Sequence, residues 1–184
     1  MKLVLTVVLS LALAGCRKEA PLSVYWRIPA FQLTDQSGRP FDSKSLAGKI
    51  WVADFIYTTC PGPCPRMSSQ MRGVQSAVVA MPDVKLVSFT VDPKNDTPVA
   101  LAAYAARYRA QPGRWVFLTG AQADLETLCR NGFKLGDVGG ALAHSTRFVL
   151  VDRQSRVRGL YSTSEDDGAV ARLLHDIRML EGEK

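Results

Sequence analysis

The chain has 184 residues, 47% of them hydrophobic, and carries 23 Lys and Arg against 17 Asp and Glu, a formal charge of +6 at pH 7. That length suits one domain able to bury most of its apolar surface, and the lack of any internal repeat or interdomain linker argues against a solenoid or a multidomain chain. The modest positive balance suits an acidic partner or an anionic lipid surface, but no basic stripe interleaved with aromatics marks a nucleic-acid binder.

Lys2 is followed by an apolar run, Leu3 to Ala14, and then by Gly15 and Cys16. A positive residue, a short apolar stretch and small residues before a cut are the layout of an export signal. The run is too short to cross a bilayer, which takes about 20 apolar residues. "LAGC" resembles the lipobox of bacterial lipoproteins, in which the cysteine is lipidated and becomes the mature N-terminus. The expected organisation is a signal peptide over 1–15, a lipidated tether over 16–27 and a folded domain over 28–184. Lipid chains on Cys16 would hold the protein at a membrane surface without a transmembrane helix. Cleavage removes Lys2 alone among the charged residues and leaves the mature chain at +5.

Beyond the tether, "FQLTDQSGRPF" holds a Gly-containing turn and predicts a small hairpin. "KIWVADFIY" (Lys49–Tyr57) is a β-branched and aromatic run without breakers, which reads as a buried strand. After "YTTCPGPCPRM" (57–67), Met67, Met71, Val74, Val78 and Val79 fall at helical spacing. "DVKLVSFTVD" (Asp83–Asp92) is a second buried strand, and "TPVALAAYAARY" a helix with Thr97 as N-cap and Pro98 at its first position. "RWVFLTG" gives a third strand and "AQADLETLCRNG" a helix ending at Gly132. "STRFVLVD" and "RVRGLYS" flank "RQS" as a β-hairpin. In the closing helix Ser164 and Asp167 predict a capping box, and Val170, Leu173, Leu174, Ile177 and Leu180 one apolar stripe. The sum is an α/β fold with a mixed central sheet flanked by helices. It resembles thioredoxin-like domains, whose active cysteines also lie between the end of a central strand and the next helix.

Cys129 shares the spacing of Leu125 and Leu128 on a helix's apolar face, where a free cysteine behaves as a small hydrophobe. Cys60 and Cys64, set among Pro61, Pro63 and Pro65, are then the reactive pair. Pro65 lacks an N–H and disfavours helical dihedrals at Cys64, so the helix is expected to begin at Pro65 with Cys64 as N-cap and Cys60 in the loop. A redox pair, a metal clamp and a structural staple all remain open. The three intervening residues can spread the sulfurs around an ion or let them join, since a disulfide asks only for Cα atoms about 4.4–6.8 Å apart. A helix N-terminus offers a nearby anion about 0.3–1 kcal/mol, less than one pKa unit at about 1.36 kcal/mol per unit. The dipole alone therefore leaves both thiols protonated near neutrality, which leans towards a bound cation. Of the two histidines, His175 sits beside the closing helix's apolar stripe at its solvent edge. His144 follows the glycine-rich "DVGGALA" at the mouth of a strand, and Gly139 and Gly140 allow that loop to swing.

"FIYTTCPGPCPRM", "VSFTVDPKNDTP" and "HSTRFVLVD", in this order, resemble the Sco/SenC family of copper-binding, membrane-anchored thioredoxin-like proteins, from about Pro29 to the C-terminus. The resemblance implies that Cys60, Cys64 and His144 bind one copper ion. Thiolates are soft ligands suited to Cu(I) and imidazole also suits Cu(II), whereas zinc takes four protein ligands, or three and water. Asp92, on the loop after the second strand, is expected to orient His144 or tune the site's charge, with turn-making as its alternative. Asp96 is expected to make the turn and cap around Thr97. The chain departs from the family's frequent "CPDVCP": Gly62 and Pro63 remove a negative charge and stiffen the turn. The resemblance further implies a metallochaperone rather than an enzyme, at the periplasmic face of the bacterial inner membrane; the outer membrane is the alternative, since Arg17 after the lipidated cysteine is not the aspartate associated with inner-membrane retention. It would assist the binuclear copper site of cytochrome c oxidase subunit II, or another copper-site apoprotein, by delivering copper, by reducing cysteines, or by both. Other periplasmic copper carriers or thiol reductants would be its further partners.

The alternative is a thiol–disulfide oxidoreductase in which Cys60 and Cys64 are catalytic, cycling through a mixed disulfide without need of His144. Thr58 and Thr59 precede Cys60 as in peroxiredoxin-like peroxidases, but that family's upstream proline is missing, with Ala53 and Asp54 at the nearby positions. A purely structural disulfide would leave the three-part motif unexplained.

Overall fold

The computed structural model describes residues 20–136 and 145–183; Cys16 and His144 lie outside the described residues. Gln32–Asp35 (β1) and Pro40–Asp42 (β2) form the expected hairpin, with Gly38 at φ 75° in its turn, a conformation open to a residue without Cβ. A short 3-10 turn, Ser43–Leu46, leads into β3 (Ile50–Ile56), which is buried at all seven positions. A strand without a solvent face needs cover on both sides, and the connections supply it. β4 (Val84–Thr90) and β5 (Trp115–Thr119) run parallel to β3 and are reached through α1 (Pro63–Ala77) and α2 (Pro98–Arg107). Successive crossovers of one hand put both helices on the same face. There Met67, Met71, Val74, Leu101 and Tyr104 pack over Ile50, Val52 and Ile56.

On the other face, α3 (Gln122–Thr127) continues directly into a π-helical turn, Leu128–Gly132. Leu125, Leu128, Cys129 and Phe133 meet Trp51, Phe55 and Phe89 there. The chain re-enters the sheet on the far side of β3 as β6 (Arg147–Val151), antiparallel to it, and returns as β7 (Val157–Ser162). α4 (Ala169–Gly182) then closes the first face through Ala169, Leu173, Ile177 and Leu180. The strand order is β2-β1-β5-β4-β3-β6-β7, the mixed α/β sheet flanked by helices that the sequence predicts. Thr97 caps α2 as expected, its hydroxyl accepting from Ala100 N at 3.3 Å.

Two local expectations fail. The capping box of α4 does not form: Asp166 Oδ1 accepts from Gly168 N at 2.8 Å, making a turn that delays the helix to Ala169, while the Ser164 hydroxyl pairs with Thr146 Oγ1 at 2.8 Å. Val79 lies beyond the end of α1 and is 62% exposed.

Residues 22–27 are fastened along β7. Tyr25 N donates to Val157 O at 3.0 Å, and Val157 N to Trp26 O at 2.7 Å. The buried Arg158 guanidinium spends all five of its donors on Leu22 O, Ser23 O, the Asp152 carboxylate and both oxygens of Glu183, between 2.7 and 3.1 Å. A buried charge with every N–H paired escapes the penalty of an orphaned one, and here it locks the N-terminal approach to the end of α4.

Candidate metal centre

Beyond Ile56 the chain turns through Tyr57–Cys60, with Cys60 N donating to Tyr57 O at 3.3 Å. The turn is pinned by Asp96, which is fully buried. Its carboxylate accepts from Thr58 N at 3.1 and 3.2 Å and from the hydroxyls of Thr58 and Thr90. One side chain thus ties the end of β3 to the end of β4, a wider role than the local turn and cap expected of it. Asp92 is half-buried; its N–H donates to Thr90 Oγ1 at 2.9 Å and its carboxylate accepts from Asn95 Nδ2 at 2.7 Å, so among the described residues it works as a turn-maker.

α1 starts at Pro63, not at Pro65, with Gly62 as a cap that has no side chain to offer. Pro63 suits the first helical position because its missing N–H needs no partner there. The missing N–H of Pro65 also falls in the first turn, where no intrahelical bond is required. Cys64 therefore lies inside the first turn rather than before it, while Cys60 is in the loop as expected.

Cys60 and Cys64 are both buried free thiols. Burial pushes the Cys60 pKa up. Hydrogen bonds from the Cys64 thiol, the backbone N–H groups of Cys64 and Gly62 and the Tyr57 hydroxyl outweigh it, and the net shift is downward. Cys64 moves the other way, to about 12, through burial, through donation to Cys60 and through the Asp54 carboxyl nearby. Donating to Cys60 also raises the Tyr57 hydroxyl, ahead of the smaller effect of burial. The site thus favours negative charge on Cys60 and a proton on Cys64, a polarisation beyond the reach of the helix dipole alone.

Asp54 is a member of this neighbourhood that the sequence pattern left unassigned. Its side chain projects to the α1 face of β3, in line with Val52 and Ile56, where it is wholly buried. Oδ1 accepts from Ser88 Oγ at 2.6 Å, Ser88 Oγ accepts from Trp115 Nε1 at 2.9 Å, and Oδ2 has no partner among the described residues. Burial raises its pKa to about 7, with the Ser88 hydrogen bond opposing. The available signal was an acidic residue inside an otherwise apolar run.

This carboxyl makes stability pH-dependent. Its folded pKa lies above its unfolded value, so the folded state holds the extra proton between about pH 4 and pH 7. Stability from this group is highest below that window and falls across it, by at most about 4 kcal/mol for about 3 units. Asp54→Asn is expected to abolish that component. Denaturant titrations of both proteins at pH 4.5 and pH 8 should show the variant gaining on the parent at the higher pH; parallel behaviour would sink the assignment.

The third expected ligand, His144, lies outside the described residues, and among those described no group of three His, Cys, Asp or Glu side chains could hold a metal ion. The chain re-emerges at Ser145, immediately before β6. β6 runs antiparallel to β3 with Ala53 opposite Val149, so β6 starts towards the end of β3 from which the cysteine turn leaves. His175 is exposed on α4. Cys129 is buried in the second core, which raises its thiol to about 11. A cavity of about 640 Å³ lined by Pro29, Phe31, Leu33, Thr127, Leu128 and Asn131 belongs to that second core and does not reach the cysteines.

Two buried thiols between the carboxyl end of a central parallel strand and the following helix define a thioredoxin-like α/β domain with a dithiol centre. The SCO1/SenC family profile matches residues 26–179, and the chain belongs to that family. It is 35% identical over 142 residues to a Stutzerimonas stutzeri protein named for copper binding, covering 72% of this chain and 67% of that one. It is also similar to a SCO1/SenC family lipoprotein of Bacillus anthracis, with TM-score 0.76 and 34% identity over 85% of this chain and 95% of the other. BsSco, a member of the Sco family of cytochrome c oxidase assembly proteins in which a disulfide switch was identified, aligns with TM-score 0.78 and 29% identity over 90% of this chain and all of its own.

Proposed function

We propose that the protein is a lipid-anchored copper chaperone that carries one copper ion on Cys60, Cys64 and His144 and assists assembly of the binuclear copper site of cytochrome c oxidase subunit II. The observation that carries this reading is the pair of buried thiols sharing one hydrogen bond at the start of α1, one polarised towards thiolate. That donor set fits a soft ion: two sulfurs in an apolar surround suit Cu(I), and a histidine arriving on the segment before β6 would extend the site to Cu(II). Copper is cargo here, taken up and passed on by exchange of ligands with an acceptor. Asp92 would tune the site through the turn it builds, and its charge already acts on Tyr57. Cleavage before Cys16 and lipidation of that residue would hold the domain at the periplasmic face of the inner membrane. The family's lipoprotein relative supports this, and no described helix is long and apolar enough to cross a membrane.

The test is oxidase activity after deletion of the gene, in low copper and in copper excess. Loss in low copper with rescue by excess is expected; full activity in low copper would remove the assembly role.

A second reading is favoured by the asymmetry of the thiols. Cys60 as thiolate can attack a partner disulfide, releasing one partner sulfur as thiolate and forming a mixed disulfide. Cys64 then gives up its proton and attacks Cys60, freeing the second partner sulfur and leaving the Cys60–Cys64 disulfide. Two electrons pass to the partner, and an external dithiol reductant must restore the pair. This oxidoreductase would survive loss of His144 unchanged, whereas the chaperone would lose its Cu(II) state.

A further inference from the structure

We infer that the end of the fold opposite the cysteines is the face laid against the membrane, with anionic lipid headgroups as its partner; the inference rests on Cys16 as the lipid-bearing residue. The cysteine turn leaves the carboxyl end of β3, and that strand of seven residues separates the two ends by about 20 Å. The N-terminal approach is clamped at the far end. Arg158 grips Leu22 O and Ser23 O together with Glu183. Arg153, in the β6–β7 turn, donates to Leu180 O at 2.6 Å and Glu183 O at 3.2 Å, and its own carbonyl accepts from Gly48 N at 3.0 Å, just before β3. Between Cys16 and this clamp stand residues 17–21, and the six steps from Cys16 to Leu22 reach at most about 22 Å. The clamp end is thus the end kept within that distance of the bilayer.

What this end exposes suits lipid. Val24 (51% exposed), Tyr25 (56%) and Val79 (62%) are three of the four large apolar side chains most open to solvent among the described residues. Val24 and Tyr25 flank the clamp, and Val79 follows the end of α1, where Arg114 holds the carbonyls of Val78 and Met81. The fourth, Val99, starts α2 at the cysteine end. Tyrosine's ring is at home at headgroup level. Lys49, Lys85, Arg153 and Arg156 surround the same end, and Arg17 and Lys18 precede the clamp. Asp83, Asp152, Glu181 and Glu183 offset part of this charge and Glu19 part of the tether's, and with Arg114 and Arg158 at the same end a positive excess remains. At the cysteine end, Asp92, Glu165, Asp166 and Asp167 balance Arg66, Lys94, Arg147 and Arg172, with Arg66 paired to Asp167 and Arg172 to Asp166. An anionic surface therefore attracts the clamp end and leaves the thiols facing away from the bilayer, towards the soluble domain of an acceptor.

The full chain, purified in detergent and reconstituted into vesicles of phosphatidylglycerol and phosphatidylethanolamine, is labelled with an amine-acylating reagent and read by mass spectrometry. Relative to Lys94, Lys49 and Lys85 are expected to label about threefold more slowly in vesicles than in detergent. Val24→Ser combined with Tyr25→Ser should lose most of that protection. Equal rates at all three lysines, protection of Lys94, or the same protection on purely zwitterionic vesicles overturns the inference. The mass of the N-terminal peptide reports lipidation of Cys16 separately. If it carries no lipid, the chain from Arg17 with an N-terminal hexahistidine on nickel-chelating lipid supplies the anchor, and the same comparison decides.

Discussion

Cys60→Ser and Cys64→Ser are each expected to weaken copper binding by more than about 100-fold, since loss of the groups that merely support a ligand already costs about 10–100-fold. A serine hydroxyl is hard, and it does not ionise near neutrality, so neither variant restores a soft donor. His144→Ala is expected to spare most of the Cu(I) affinity while removing the Cu(II) complex, because two thiolates satisfy the former and imidazole the latter. Anaerobic titration of the reduced protein with Cu(I), and thiolate absorption with Cu(II), separate these outcomes. The parent should bind one equivalent. The substitutions are also unequal as redox variants. Hydrogen bonds lower the Cys60 thiol while burial raises that of Cys64, so Cys64→Ser should keep the faster-alkylating thiol, whereas Cys60→Ser should leave the slower one. Absence of tight copper in a parent whose disulfide cycles freely would make the oxidoreductase the leading account.

The second large effect lies outside the cysteines. Asp96→Ala is expected to cost about 2–4 kcal/mol, because it strands the hydroxyl of buried Thr90 and removes the acceptor of the N–H and hydroxyl of half-buried Thr58. That is a large part of the roughly 5–15 kcal/mol that holds a domain of this size together. Asp96→Asn keeps the shape and one acceptor oxygen and should cost about half as much. Thr58 lies two residues before Cys60, so the loss should also reach the metal site, lowering copper affinity about tenfold. Denaturant midpoints and copper titrations on both variants check this; a cost below about 1 kcal/mol for Asp96→Ala would show that the turn holds without it.

The strands and helices were legible because burial leaves a periodic trace. The unbroken run around β3, the two apolar runs of β6 and β7 about their turn and the Thr97–Pro98 start of α2 each carry their own local signal. The start of α1 was misread because the rule for the residue before proline was applied to Pro65, whereas Pro63 had already opened the helix. The π-helical turn at Leu128–Gly132 leaves no periodic mark, since it changes the spacing by a single residue. At the centre, motif order identified the cysteines but not their polarity, which arises from four donors converging on one sulfur. Asp96 meets Thr58 across 38 positions of sequence, a pairing that no local pattern announces. Asp54 was hidden by its own neighbours, because its run looks apolar enough to be a strand with or without it.

The two margins of the sheet have a colloidal consequence. β2 is three residues long and begins at Pro40, which has no N–H to offer a neighbouring strand. At the other margin the backbone of Tyr25–Ile28 occupies the hydrogen-bonding groups of Ser155 and Val157 and leaves only the later half of β7 free of that cover. Self-association by edge-to-edge strand addition is thereby discouraged on both sides. For copies anchored to one membrane as proposed, such blunted margins would let the protein be crowded without polymerising.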